Sequence, residues 1–303
     1  MQILNKSESR SQRPEARELP ATRYFAALTG VLLASGFWFL DSSVAHAQDA
    51  RTLVSQMKQA EATISYSATQ TGKGGTARVF RSGLKRRLEW VAPSVKSGDV
   101  LVDDSSNVFL YHRAEGSATK TNSRSRVPSF VASGAVKPTT FAGRRAFLVT
   151  VSGRRTLIID ASTKALLAVR GGNGGFALSN IRFASVPSAK FAFAAPVGVK
   201  VNSFDGALYA NVNGAKRAAR WLQAPQSLPS GWSFESAIVV QSSAWLRYSN
   251  GQNRISLFEQ PTTDADLKPQ NVNGGKFWKR GGVRFLATGS PKNALNELAD
   301  QLK

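Results

Sequence analysis

The sequence predicts an α+β protein in two parts: an antiparallel sheet curled round one helix, then a smaller antiparallel sheet closed by a terminal helix. Residues 50–64 carry apolar side chains at a helical period. Beyond residue 64 the period drops to two and holds through many short runs separated by Gly, Ser and Asn turn signals. Between Pro196 and Pro229 that pattern lapses. A shorter set of alternating runs and a last helical stripe follow.

The segment ahead of the first helix reads as an address. Residues 1–24 are polar and include Arg10, Arg13, Arg17 and Arg23; "FAALTGVLLASGFWFL" (Phe25–Leu40) then carries no charge, and Asp41 ends it. Ala45-His46-Ala47 has the small-x-small form of a cleavage site, with Ala45 and Ala47 as its small residues, so residues 1–47 are expected to be a signal peptide cut after Ala47. The run is short for a membrane span of ~20 residues; retention as an anchor is the alternative. The chain has no cysteine, so its cores must hold without disulfides.

In the first helix, Leu53, Met57, Ala60 and Ile64 form one stripe. The strands then follow in order: "ISYSATQT", "ARVF" after Gly74-Gly75, "LKRRLEWV" with Leu84, Leu88 and Trp90 on one side, and "DVLVDD" with "NVFLYHR" about Ser105-Ser106. Asn122–Thr140, rich in Ser, Arg, Pro and Gly, reads as a long loop or lid. "RAFLVTV", "RTLIID", "ASTKALLAVR" and "FALSNIRFASV" resume the alternation. "NGAKRAARWLQAP" reads as a short basic helix or a linker. In the last part, runs near Phe234–Val240, Ala244–Tyr248 and Arg254–Glu259 flank an Asn250-Gly251 turn. "KFWKR" and "VRFLATG" make a second hairpin. Ser290 and Pro291 open a final helix with Leu295, Leu298 and Leu302 on its stripe.

Composition removes most chemistry. Forty Lys+Arg against nineteen Asp+Glu give a net charge of +21, which attracts acidic partners of any kind. Export makes nucleic acid an unsuitable one. His46 falls in the signal segment, and His112 alone, without cysteine, builds no His/Cys metal site and no cofactor site. A lone strand-end histidine reads as a solvated surface residue. Asp103 and Asp104 would point to opposite faces of a strand, so turn chemistry explains them better than paired catalysis. The sequence does not read as an enzyme. A sheet round a helix can instead enclose a lipid-sized space; Phe80, Trp90, Phe109, Tyr111, Phe147 and Phe183 are the candidate lining, and would equally serve to fill a core.

Two segments carry a family resemblance. "SAKFAFAAPVGVKV" (Ser188–Val201) resembles the end of LolA-type lipoprotein-carrier domains, through Lys190, Phe191, Phe193, Pro196, Gly198, Val199 and Val201. "LVDDSSNVFLYH" and "VFRSGLKRRLEW" are similar to two further strands of that family. The resemblance implies a half-open antiparallel β-barrel wrapped round a helix over residues 48–203. It also implies a lipid-handling role for Arg81, with Arg86 and Arg87 as competing alignments.

"LPSGWSFES" and "AWLRYSNGQNRISLFEQP" resemble the C-terminal domain of MucB/RseB regulators of sigma-E, through Leu228, Pro229, Gly231, Trp232, Tyr248, Ser249, Asn250, Gly251, Ser256, Leu257, Phe258 and Glu259. That implies a linker over 204–225 and a protein-binding α+β domain over 226–303, with Trp232, Trp245, Arg247 and Tyr248 as partner-contact candidates. It further implies a periplasmic protein that binds the periplasmic part of a membrane anti-sigma factor in the envelope stress response, with lipid, lipoprotein or lipopolysaccharide as a second ligand class. A periplasmic lipid or lipoprotein carrier and a basic envelope-surface binder are the alternative readings. Homo-oligomerisation is left open.

Overall fold

The computed structural model describes residues 49–172, 175–225, 228 and 231–302. The expected signal peptide, with Ala45 and Ala47, lies outside the described residues. Helix α1 (Ala50–Thr63) begins where the Asp49 carboxylate accepts the Thr52 N–H at 3.2 Å. Its buried stripe of Leu53, Val54 and Met57 packs on Val149, Val151, Leu157, Ile159 and Leu166. Glu61 continues the same stripe into the interior, 1% exposed.

The N-terminal strands form two meanders. The first is β1 (Ser65–Gly72), β2 (Gly75–Ser82), β3 (Lys85–Ala92), β4 (Val100–Asp103), β5 (Asn107–His112) and β6 (Ser117–Asn122). The second is β7 (Ala132–Phe141), β8 (Arg144–Val151), β9 (Arg155–Asp160), β10 (Leu166–Arg170) and β11 (Phe176–Arg182). Strand β11 returns to pair antiparallel with β1, Thr71 opposite Ala177. The ladder therefore reads β7-β8-β9-β10-β11-β1-β2-β3-β4-β5-β6. Among the described residues no pairing joins β7 to β6. The result is a half-open antiparallel barrel wrapped round α1.

The expected loop at 122–140 is only partly a loop, because its second half is strand β7. The Pro138 that argued against a strand is tolerated since β7 has β8 as its one neighbour; an edge strand leaves one row of N–H groups unpaired anyway.

Strand β12 (Val201–Tyr209) runs parallel to β6, with Val201 opposite Ala118, and antiparallel to β13 (Ser233–Val240). Helix α2 (Val212–Ala218) follows β12, capped by the Asn211 side chain accepting the Gly214 N–H at 2.7 Å. From β13 the ladder continues through β14 (Ser243–Ser249), β15 (Arg254–Pro261), β18 (Val283–Gly289), β17 (Gly275–Arg280) and β16 (Leu267–Val272). The turn between β14 and β15 is held by the Asn250 side chain, which accepts N–H groups from Gln252 and Asn253; Gly251 there takes φ 91°. Helix α3 (Lys292–Gln301) lays Leu295 and Leu298 on the inner face, against Trp278, Phe285 and Leu246.

Backbone pairing is thus continuous from β7 to β16, yet the apolar clusters are not shared. One is drawn from residues 209–302. The others are drawn from residues 50–183, with Leu208 packed against one of them.

Candidate functional site

Strand alternation decides what the C-terminal sheet shows to solvent. In β14, Ala244, Leu246 and Tyr248 point into the core, so Trp245 and Arg247 point to the other face. On that outer face the registers align one row across the sheet: Ile238 opposite Trp245, Trp245 opposite Phe258, Phe258 opposite Leu286, and Leu286 opposite Phe277. Cross-strand neighbours of this kind touch. The Trp245 and Phe258 rings stack at 5.7 Å and 6°, and Phe204 of β12 approaches Trp245 from the side at 6.3 Å.

Together with Val240 and Arg284 these side chains line a cleft of about 350 Å³. Phe204 is 36% and Phe258 40% exposed. Trp245 Nε1 and Arg284 Nε are buried and find no hydrogen-bond partner among the described residues; Arg284 uses Nη2 to reach Thr262 Oγ1 at 3.4 Å. Glu259 sits behind the cleft on the core side. One of its carboxylate oxygens accepts the Gln223 N–H at 2.8 Å, and burial pushes its carboxyl up to about 7.

Arg247 leads from this face into a seam between the two halves of the chain. Its guanidinium lies over the Trp245 ring at 4.3 Å and forks onto Glu115 at 2.8 and 2.6 Å. Arg254 donates to Asp99 at 2.8 Å and to both Glu235 oxygens at 2.8 and 3.0 Å. Lys96 bonds Glu235 at 2.8 Å. Arg247, Asp99, Lys96 and His112 are all under one-tenth exposed. Burial alone would raise the Glu235 carboxyl, but Lys96 and Arg254 bring it down to about 2. Burial likewise works against the Arg254 charge, and Glu235 and Asp99 more than restore it.

His112 is 3% exposed rather than solvated, and its Nδ1–H donates to Asp99 at 3.0 Å. Burial lowers its pKa despite that partner, which leaves it neutral in the seam at neutral pH.

The remaining candidates scatter. Trp232 (4% exposed) and Tyr248 (fully buried) belong to the C-terminal core and present no face to a partner. Tyr248 donates its hydroxyl to the Pro225 carbonyl at 2.8 Å. The cavity candidates divide between the two faces of the barrel sheet. Trp90, Phe147 and Phe183 pack against the inner clusters. Phe80, Phe109 and Tyr111 alternate with inward-facing Val79, Val108 and Leu110 and therefore lie outside; Phe109 stacks on Phe193 at 5.1 Å, and Lys190 sits 4.7 Å over Phe80. They do not line one space.

Arg81 does face inward, fully engaged. It pairs with Glu61, donates to the Glu61 carbonyl at 2.8 Å and to the Gly83 carbonyl at 2.9 Å. Asp103 and Asp104 serve turns: Asp104 accepts from Ser106 and Asn107, and Asp103 from Ser105 and Ser123. No group of metal-ligating side chains occurs among the described residues, and no described helix is long and apolar enough to cross a membrane.

Sequence reasoning missed Leu286, Phe277 and Arg284 as outer-face partners of Trp245, and Ile238, which ends the row at 5% exposure. Parity could have found Phe277 and Leu286, since each neighbours a bulky residue, Trp278 or Phe285, that fills the core.

No protein-family model matches the chain, and no curated protein does. Solved structures do. The chain is similar to MucB. A crystal structure of MucB is 17% identical, with a TM-score of 0.40, covering 83% of this chain and 96% of MucB. The complex structure of Pseudomonas aeruginosa MucA/MucB matches at 14% identity and TM-score 0.34, over 83% of this chain and 97% of that one. An uncharacterised conserved protein of Thermus thermophilus matches at 14% identity and TM-score 0.42, over 52% of this chain and 99% of its own.

Proposed function

We propose that this protein is a periplasmic regulator of envelope stress signalling whose C-terminal part grips the periplasmic segment of a membrane anti-sigma factor. The partner class comes from the MucB/RseB-like motifs at residues 228–261, and MucB itself has been solved in a complex with MucA. The observation that carries a protein-binding role is the aromatic row through Trp245, left open on the side of the sheet away from its core. Phe204 and Phe258 are exposed and Trp245, Phe277 and Leu286 partly so, and an apolar cleft with a few polar groups suits the side chains of a bound partner. Residues 1–47 would supply the export signal. An affinity-tagged chain, recovered from crosslinked envelope extracts, is expected to bring down a single-pass membrane protein with a cytoplasmic sigma-binding end. Recovery of outer-membrane components alone would count against the reading.

One observation favours a second reading, in which lipid is carried or sensed. A crevice of about 410 Å³ between α1 and residues 128–132 is lined by Arg51, Lys58, Val54 and Phe130, a combination suited to an anionic amphiphile. Native mass spectrometry of gently purified protein tests it; a ligand-free mass would weigh against lipid.

A further inference from the structure

We propose that the outer row of the C-terminal sheet is a docking site for an acidic, extended peptide segment carrying large apolar side chains. This deepens the partner-binding reading above and rests on it for the location of the site.

Ile238, Trp245, Phe258, Leu286 and Phe277 lie on successive strands. At a spacing of ~4.8 Å between strands the row is roughly 19 Å long, the reach of an extended segment of about six residues at ~3.3 Å each. Such a segment would cross the strands and set alternate side chains into the cleft beside the Trp245–Phe258 stack.

A buried donor left unpaired is costly, and native structures seldom keep one without a reason. Two occur at this site, Trp245 Nε1 and Arg284 Nε. Both are donors, which an occupant's acceptors would satisfy; Glu259 Oε1, on the core side of the cleft, and Trp278 Nε1, inside the core, are also buried without a partner. A backbone carbonyl suits the indole, and a carboxylate suits the guanidinium.

Arg284 is the basic side chain lining the cleft, on a chain of net charge +21. The Glu259 carboxylate turns to the core side, onto the Gln223 N–H. A second copy of the same chain would bring like charge against like, whereas an acidic segment is drawn in.

The test uses the full chain and two labelled probes: a decapeptide alternating Asp or Glu with Leu and Phe, and its counterpart with Lys at every acidic position. Fluorescence anisotropy at ~0.15 M salt suppresses binding through distant charges. The acidic probe is expected to bind, the basic one not. Trp245→Ala and Arg284→Gln are each expected to weaken the acidic probe at least ~10-fold. Phe258→Ser, at a part-exposed position, and circular dichroism of every variant separate loss of the site from loss of the fold.

Equal binding of both probes, or unchanged affinity in folded Trp245→Ala and Arg284→Gln, overturns the proposal. So does concentration-dependent dimerisation that Trp245→Ala abolishes, because a second copy would then be the occupant. The two readings fail separately. Capture of an anti-sigma factor undiminished by Trp245→Ala defeats the docking site and leaves the regulator. Probe binding at the row with no such factor in the envelope does the reverse.

Discussion

Arg254 Nη2 lies 2.8 Å from Asp99 Oδ2, although 155 positions separate the two residues in the chain. The same guanidinium holds Glu235 of β13, one strand beyond the adjacent β14, so a single side chain from β15 ties its own sheet to the loop between β3 and β4. Arg254→Met removes the cation and leaves two buried carboxylates under-compensated. A loss of about 3–5 kcal/mol is expected on breaking such a cluster, read by urea unfolding followed through tryptophan fluorescence. A loss below ~1 kcal/mol would mean that the seam does not hold the halves together.

The pH dependence follows from two buried glutamates with opposite shifts. Glu235, lowered to about 2, stabilises the fold above its unfolded value near 4.5, and that contribution is lost as pH falls from 4.5 toward 2. Glu259, raised to about 7, keeps its proton in the fold but not in the unfolded chain. Its contribution is complete below pH 4.5 and is lost as pH rises through 7. Each is on the order of 3 kcal/mol. The sum of these two contributions is greatest near pH 4.5. Glu259→Gln should flatten the alkaline side and leave the acid side intact, in thermal melts from pH 3 to 8.

Arg81 and Glu61 fix α1 to the barrel, since Glu61 also accepts the Leu166 N–H at 2.8 Å. Arg81→Leu strands the Glu61 carboxylate in the interior, and a loss of about 3 kcal/mol is expected at neutral pH. The stranded group is then easier to keep protonated than charged. The deficit should shrink as pH falls toward 4.5, and Glu61→Gln in the same chain should recover part of it. A pH-independent deficit would mean that Glu61 has found another partner.

Two tryptophans on one sheet make a matched comparison. Trp278 is 1% exposed and stacks on Phe285 at 5.0 Å inside the core; Trp245 stacks on Phe258 outside it. Trp278→Ala should cost about 3–5 kcal/mol, and Trp245→Ala about 1 kcal/mol, the worth of an aromatic pair. Denaturant midpoints of the two variants decide this, and equal losses would place Trp245 in the core.

Much of the fold was legible because periodicity is local. Leu53 and Met57 could be assigned to a buried face from their spacing, and the β14–β15 hairpin from the Asn250-Gly251 turn between alternating runs. Strand β7 was missed because Pro138 weighs against a strand in isolation, and only the sheet reveals that it lies at an edge. Of the partner candidates, Trp245 and Tyr248 could not have shared a face. Three residues apart in a strand they oppose each other, and the choice of which one faces out falls to the core.

By itself the sequence determined the helix stripes, the alternation, the turns, the charge of +21 and the lack of cysteine, because each depends on neighbours a few positions away. Tertiary structure alone decided that Glu61, Asp99, His112 and Glu235 could be buried, since each needs a partner brought from far along the chain. It also decided that five apolar residues from five strands form one row. Register is a property of pairs of strands, and no single stretch of sequence contains it.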